Sequence, residues 1–227
     1  DWFHIGADIE NSVPTQGLPD DSSLVLKLLS ARPSFLMVGT IEPRKGCLQT
    51  IAAFEQLWDS GVDANLVIVG KEGWKDFPEE LRRTIPEIVS RLRHHPELGR
   101  RLFWLEGISD EYLELIYATC TCLIAASEGE GFGLPLIEAA QHKLPIIARD
   151  IPVFREVAGN HALYFSGKEP LDLARGIKEW LALHRFGKYP KSDGMTWLTW
   201  KESAERLKDI IINDRWYIKW MWDVDKR

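Results

Sequence analysis

Short runs of consecutive apolar residues alternate along the chain with longer segments in which apolar residues recur at helical spacing. The apolar runs are Ser34–Gly39, Asn65–Gly70, Leu102–Leu105, Cys122–Ala126, Pro145–Ala148 and Ala162–Phe165. The segments with helical spacing are Leu48–Trp58, Glu79–Leu98 with an expected break before Pro86, 110–118, Leu136–Gln141, Phe154–Ala158 and Pro170–Leu183. A strand is continuously apolar when both of its faces are buried, as in a parallel sheet covered by helices. The pattern therefore predicts an α/β fold built on a doubly wound parallel sheet of about six strands.

The segments before the first run and after the last helix predict the domain boundaries. Residues 1–33 are polar and contain Pro and Gly, so we expect an entry linker with a short helical piece at Leu24–Leu29. Residues 34–190 form the predicted Rossmann-like domain. Residues 191–227 form a predicted C-terminal helical segment, whose long helix would cover Thr196–Ile212 and continue through Asp214–Trp222.

Five of the ten tryptophans lie in this C-terminal segment. So many aromatic side chains beyond the last strand need a surface to cover. That surface is the back of the same domain, a partner domain outside this chain or, as a third option, a membrane surface.

Composition excludes several classes of protein. The chain has 227 residues, 45% of them hydrophobic and 27% charged, as in a globular protein. Its net charge of −6 gives no sign of a general nucleic-acid binder. Three cysteines form no disulfide framework, and no apolar run is long enough to span a bilayer, so we expect a cytoplasmic protein. The first residue is Asp1 rather than Met, which suggests a piece of a longer protein.

A glycine-bearing loop joins the fourth strand to the helix that follows it. The loop reads Glu130-Gly131-Phe132-Gly133-Leu134, and Glu138 lies one turn into the helix, with seven residues between the two carboxylates. Free N–H groups at a helix start favour an anion such as phosphate, and glycines let a ligand approach the backbone. A carboxylate there would repel a phosphate, so sugar hydroxyls are the natural partners of Glu130. The alternative is a solvated acidic loop that caps an ordinary helix.

A second motif, Gly39-Thr40-Ile41-Glu42-Pro43-Arg44-Lys45-Gly46, follows the first strand. It lies at the same edge of the predicted sheet as Glu130. Arg44 and Lys45 would bring positive charge to a diphosphate, and a fixed cation stabilises the charge that builds on a leaving phosphate. Taken alone, the motif also fits a solvated charged turn.

The two motifs together resemble the signature of retaining, nucleotide-sugar-dependent glycosyltransferases of the GT-B fold, family GT4. Glu130-x7-Glu138 resembles the paired glutamates of that family, and Lys45 matches its phosphate-binding lysine. Many members have Arg where this chain has Thr40, but a subgroup that includes bacterial mannosyltransferases resembles the Gly-Thr-x-Glu-Pro-Arg-Lys form. The likeness covers roughly residues 1–212 and implies the C-terminal, donor-binding half of the GT-B fold.

The resemblance implies a role for each site residue. The donor diphosphate would contact the amides of Gly131–Leu134, Phe132 and Gly133 included, together with Lys45; Thr40 and Arg44 belong to the same donor loop. Gly70 and Lys71 match the second strand and its loop, and backbone near Ile108 would meet the nucleobase. Glu138 would hold the ribose and Glu130 the donor sugar. Glu130, at the sugar, and Lys45, at the leaving phosphate, are the predicted catalytic residues.

The implied reaction is transfer of a hexose from a nucleotide diphosphate, with GDP-mannose favoured and UDP-hexose next, to a saccharide or lipid-linked acceptor. The resemblance implies retention at the anomeric carbon, no cofactor and no metal. An N-terminal GT-B domain would supply the acceptor site, and the full protein is a candidate for peripheral membrane association. The alternative is a non-catalytic nucleotide-sugar-binding module of a larger polysaccharide-assembly protein. A nicotinamide-dependent oxidoreductase is a third class, but the first strand lacks its Gly-rich fingerprint.

Overall fold

A computed structural model describes residues 5–7 and 17–213 of the chain. The chain divides into two compact units. The described residues of the larger unit run from 17 to 195, and those of the smaller unit are 5–7 and 196–213. The boundaries predicted at residues 33 and 190 stay predictions.

The larger unit consists of six strands and seven helices among its described residues. The strands are β1 Ser34–Val38, β2 Asn65–Val69, β3 Leu102–Leu105, β4 Cys122–Ala125, β5 Ile146–Arg149 and β6 Leu163–Phe165. The helices are α1 Ser22–Ser30, α2 Cys47–Asp59, α3 Ile85–Arg93, α4 Asp110–Thr119, α5 Leu134–Gln141, α6 Pro152–Ala158 and α7 Pro170–Arg185. Each predicted strand is present to within two residues at either end.

The six strands form one parallel sheet in the order β3-β2-β1-β4-β5-β6. This confirms the predicted doubly wound sheet. All residues of β2 and β4 are buried, because helices cover both faces and leave no polar face to solvent. The order reverses direction between β1 and β4. The connections that leave these two strands therefore run to opposite sides and open a crevice beyond their carboxyl ends.

Aromatic side chains pack helices α2 and α7 against the same face of the sheet. Phe35 on β1 packs edge-on against Phe54 of α2 at 5.7 Å and against Trp180 of α7 at 5.6 Å between ring centroids. All three side chains are fully buried. Burial of each contributes about 1.5–3 kcal/mol, and edge-to-face pairs add further stability. This packing fixes where α2 begins, and with it the loop that joins β1 to α2.

The segment predicted to be helical over Glu79–Leu98 breaks before Pro86 as expected, but its helix ends five residues early. The structure breaks Glu79–Leu98 into a 3-10 turn at Glu79–Leu81 and the helix α3, which ends at Arg93. Pro86 lies in the first turn of α3, because its fixed φ and missing N–H are tolerated only there.

The smaller unit contains a helix and a short bridge to the N-terminal residues. Helix α8 covers Trp200–Asn213, so it begins four residues later than the predicted Thr196. Gly6 pairs with Leu198, and the Ala7 N–H donates to the Leu198 carbonyl at 3.0 Å. The predicted extension over Asp214–Trp222 lies outside the described residues.

Candidate functional site

The two motifs found in the sequence meet at the point where the strand order reverses. The β1–α2 connection carries Thr40, Arg44 and Lys45, and the β4–α5 connection carries Glu130 to Gly133. The Glu128 N–H donates to the Arg44 carbonyl at 2.8 Å, which joins the two connections through their backbones. Ligands of open α/β sheets bind at this position, outside the carboxyl ends of the strands.

Glu130 is the centre of the site, because two cations and a hydroxyl converge on its carboxylate. Lys45 Nζ lies 2.5 Å from Oε1, and Ser127 Oγ donates to the same oxygen at 2.8 Å. The Arg44 guanidinium donates to Oε2 at 2.7 Å. Burial raises the pKa of Glu130, but the hydrogen bonds from these three residues outweigh it and bring the pKa below its ordinary value. Glu130 is therefore an ionised partner for both cations.

The environments of the two cations differ. The Lys45 side chain is 13% exposed, whereas that of Arg44 is 47% exposed and also pairs with Glu42 at 3.0 Å. The hydrogen bond that Arg44 donates to Glu130 is the main reason that the pKa of Arg44 is raised. Although adjacent in sequence, both side chains point to one carboxylate, because a 3-10 turn spans Pro43–Lys45.

Helix α5 begins directly after the glycine loop. Gly133 precedes it in the left-handed region, with φ of 92°, and no side chain caps the first turn. A Cβ at Gly133 would lie 3.0 Å from the Phe154 ring, whereas a Cβ at Gly131 would meet open space. Phe132 and Leu134 are half-buried on either side of Gly133. The loop thus leaves room for a ligand against the backbone at Gly131, beside an uncapped helix start.

Glu138 occupies a different environment in the second turn of α5. Its Oε2 accepts a hydrogen bond from the Tyr117 hydroxyl of α4 at 2.5 Å. Burial raises the pKa of Glu138 above its ordinary value, the Tyr117 hydrogen bond lowers it, and the charge of Asp110 raises it further. The two predicted carboxylates are thus shifted in opposite directions.

The remaining predicted residues lie in the connections that follow strands β1, β2 and β3. Thr40 is exposed beside the β2–α3 connection, where a Cβ at Gly70 would collide with the Gly39 carbonyl. Lys71 passes over Gly107, and Ile108 is half-buried beside it. Within residues 17–195, neither Lys71 nor Ile108 makes a hydrogen bond or ion pair with Glu130. The structure therefore brings Arg44, Lys45 and Glu130 into direct contact and leaves these residues as a separate group at the same edge.

Ser109 is the N-cap of α4. Its hydroxyl accepts the Tyr112 N–H at 3.2 Å, which caps the helix. The same hydroxyl donates to the Gly17 carbonyl at 2.8 Å. The turn that holds Ile108 is therefore anchored at the N-terminus of α4.

Arg149 is a buried residue that our sequence interpretation missed. It ends β5 and is 5% exposed. Its guanidinium donates to the Ala126 carbonyl at 2.9 and 3.1 Å, to the Gly167 carbonyl and to Gln49 Oε1. It also lies over the Phe165 ring at 5.0 Å. A charged residue directly after the apolar run of β5 was the available signal. Arg149 ties the start of the β4–α5 connection to two other segments.

The fold and the site define one half of a GT-B glycosyltransferase, and solved structures share this fold. Sucrose-phosphate synthase from Thermosynechococcus elongatus aligns with a TM-score of 0.68 at 23% identity, over 91% of this chain and 50% of that one. The C-terminal domain of the glycosyl transferase group 1 family protein LpcC from Francisella tularensis aligns with a TM-score of 0.59 at 18% identity, over 83% of this chain and 93% of that one.

The chain belongs to the family described as glycosyl transferases group 1, which matches residues 25–193. It is 56% identical over 205 residues to the serotype-specific mannosyltransferase WbdA of Escherichia coli, covering 90% of this chain and 24% of the relative. It is 32% identical over 159 residues to the O-antigen chain mannosyltransferase RfbU of Salmonella typhimurium, covering 68% of this chain and 41% of the relative. The chain thus spans about a quarter of the length of the first of these relatives.

Across residues 5–7 and 17–213, no helix combines the length and the apolar character needed to cross a bilayer. The same residues contain no group of three or more His, Cys, Asp or Glu side chains placed to hold a metal ion.

Proposed function

We propose that this chain is the donor-binding domain of a mannosyltransferase and that it binds a nucleoside-diphosphate sugar between the β1–α2 and β4–α5 connections. The observation that carries the proposal is the convergence of Lys45 and Arg44 on Glu130 at the switch point of the sheet. One largely buried cation and one exposed cation beside an uncapped helix start suit a diphosphate, and a carboxylate between them suits sugar hydroxyls.

The donor would lie along the carboxyl edge of the sheet. Its diphosphate would contact Lys45 and the backbone of Gly131–Leu134, with Arg44 at the solvent side. Its sugar would meet Glu130 and its ribose would meet Glu138, which places the nucleobase towards Ile108. The opposite pKa shifts of the two glutamates support this division. Glu130 is held ionised by the cations that the diphosphate would share, so it would lie beside the sugar next to them, and the half-buried Glu138 would lie beside the neutral hydroxyls of the ribose.

The proposed chemistry is transfer with retention at the anomeric carbon, independent of metal and cofactor. Negative charge grows on the diphosphate as its bond to the sugar breaks. Lys45 is only 13% exposed, so its charge is less screened by water and stabilises this transition state more strongly than a solvated lysine would. The leaving phosphate is the base that we propose for the acceptor hydroxyl, since no protein group is assigned to that role.

The names of the relatives support mannose as the transferred sugar. GDP-mannose is the proposed donor, and a UDP-hexose is the next candidate. The acceptor would be a saccharide or a lipid-linked saccharide, bound by a second GT-B domain outside this chain. One observation favours the alternative of a non-catalytic nucleotide-sugar-binding module: the chain spans about a quarter of the length of the first relatives. Transfer activity after the rest of the protein is added back would separate the two.

Thermal unfolding in the presence of excess ligand tests donor binding directly. The ligands are GDP, UDP, ADP, GDP-mannose, UDP-glucose and NAD. A ligand at 100 times its dissociation constant stabilises the folded state by about 2.7 kcal/mol. For a domain of this size the midpoint should rise by roughly 5–10 °C. We expect this shift with GDP and GDP-mannose.

Two variants locate the site. Glu138→Ala should remove most of the shift, whereas Glu179→Ala, on the exposed face of α7, should leave it unchanged. Stabilisation by NAD alone would point to an oxidoreductase. No shift with any ligand would contradict donor binding by this chain.

A further inference from the structure

Tyr117 on α4 contacts the carboxylate of Glu138, which is proposed to bind the ribose, although Tyr117 belongs to neither donor motif. Its hydroxyl donates to Glu138 Oε2 at 2.5 Å, and its side chain is only 2% exposed. Within residues 5–7 and 17–213, no other group donates a hydrogen bond to this carboxylate. The second oxygen, Oε1, has no hydrogen-bond partner among the same residues, and it is not fully buried.

The position of the Tyr117 hydroxyl is fixed by its surroundings. The ring stacks on the imidazole of His142 just past the end of α5, with 5.2 Å between ring centroids and an angle of 1° between the planes. Helix α4 itself begins at the Ser109 cap, directly after Ile108. The turn at Ile108 is proposed to contact the nucleobase, and the helix that follows this turn therefore also contacts the carboxylate of Glu138, which is proposed to bind the ribose.

A buried tyrosine hydroxyl is less favourable than the bare ring of phenylalanine unless the hydroxyl makes a hydrogen bond. A buried hydroxyl needs a partner, and here the partner is a carboxylate whose other oxygen is unpaired among the described residues and not fully buried. Tyr112, on the same helix and 1% exposed, shows the contrast, because its hydroxyl is buried without a partner in the described chain.

We propose that Tyr117 is a positioning residue that occupies one oxygen of Glu138 and turns the other towards the ribose hydroxyls of a nucleoside diphosphate. This inference rests on the proposed function. Without the hydroxyl, the carboxylate loses its orientation, because a glutamate side chain has three rotatable bonds. The contact with the ribose then weakens, while contacts with the diphosphate and the base remain.

The test compares GDP with 2′,3′-dideoxy-GDP, which lacks both ribose hydroxyls, by titration calorimetry on the whole chain. Wild type should bind GDP about 10–100 times more tightly than the dideoxy compound, since hydrogen bonds to a charged group are strong. Tyr117→Phe should reduce this ratio about tenfold by weakening GDP binding and leaving the dideoxy compound unaffected. Tyr112→Phe should leave both affinities at their wild-type values.

A double variant separates positioning from packing. Glu138→Gln should reduce the same ratio, and Tyr117→Phe combined with Glu138→Gln should reduce it no further, because both changes act on one contact. Equal losses for the two compounds in Tyr117→Phe, or additive losses in the double variant, would overturn the proposal and leave donor binding standing. Failure of wild type to bind GDP, GDP-mannose or a UDP-hexose would overturn the proposed function and the inference together.

Discussion

Replacing Glu130 by glutamine should increase the affinity for GDP, although Glu130 is a proposed donor-binding residue. In the structure its carboxylate contacts both cations, with Lys45 at 2.5 Å and Arg44 at 2.7 Å. A diphosphate that binds these cations must displace the carboxylate or lie beside its negative charge. Glutamine keeps the shape and one acceptor oxygen but removes that charge.

The magnitude follows from the exposure of the two pairs. A hydrogen bond to a charged group contributes about 1.5–3 kcal/mol where it is shielded from water, and an exposed ion pair contributes less than about 1 kcal/mol. Lys45 is 13% exposed and dominates the effect, whereas Arg44 is 47% exposed and adds little. The gain for GDP is therefore about 1.5 kcal/mol, which is roughly tenfold in affinity.

Calorimetric titration with GDP and with GDP-mannose distinguishes this competition from a general change in the site. Glu130→Gln should bind GDP roughly tenfold more tightly, but GDP-mannose should gain less because the proposed sugar contact is weakened. Glu128→Gln is the matched control: it lies in the same loop, and its carboxylate pairs with the exposed Lys168. Its GDP affinity should stay within about twofold of wild type.

The salt dependence provides a second measurement of the same effect. Added salt screens exposed charges, so the difference between wild type and Glu130→Gln should shrink as the ionic strength rises. An unchanged or lower GDP affinity in Glu130→Gln, with the fold intact, would refute the idea that Glu130 and the phosphates compete for Lys45. Donor binding as such would survive that result.

Three further outcomes follow from the geometry of the loops. Gly133→Ala should lower the free energy of unfolding by about 1–2 kcal/mol, because φ is 92° there, whereas Gly131→Ala should leave it unchanged in chemical denaturation. Arg149→Met should cost about 3 kcal/mol in the same assay and weaken GDP binding, because it leaves the carbonyl at Ala126 unpaired in a buried place. Hydrogen bonds from Lys45, Ser127 and Arg44 hold the folded-state pKa of Glu130 below its ordinary value, so its ionised form adds stability above the pKa of the unfolded chain and loses it as the pH falls through the lower folded-state pKa; acid unfolding of Glu130→Gln should be correspondingly less steep than that of wild type.

The sheet was predictable because its signals are local. A strand buried on both faces has no polar positions to alternate with, so a short apolar run marks it directly. Parallel strands connected through helices place every strand-to-helix loop at one edge. The proximity of Lys45 and Glu130, 85 residues apart, therefore followed from topology alone.

The contacts that depend on helix packing could not be predicted in this way. Tyr117 and Glu138 lie on different helices, and their contact depends on how α4 and α5 rotate about their axes. Arg149 could be recognised as a charge at a strand end, but its partners belong to three separate segments. The length of α3 was wrong because the apolar spacing of Glu79–Leu98 continued past Arg93, where His94 leaves the helical conformation.

The two glutamates of the motif explain why the spacing between them matters. Glu130 lies before α5, where cations and a serine hydroxyl keep it ionised, and Glu138 lies in the second turn, where burial disfavours its charge. The loop and first turn that separate them contain the uncapped N–H groups at which the phosphates would bind. A donor laid along this stretch would meet a charged carboxylate beside its sugar and a Tyr117-held carboxylate beside its ribose. Moving Glu138 by one residue would turn its side chain about 100° around the helix axis, and moving Glu130 would take its carboxylate out of reach of Lys45. The spacing therefore sets the distance between sugar and ribose that the site accepts.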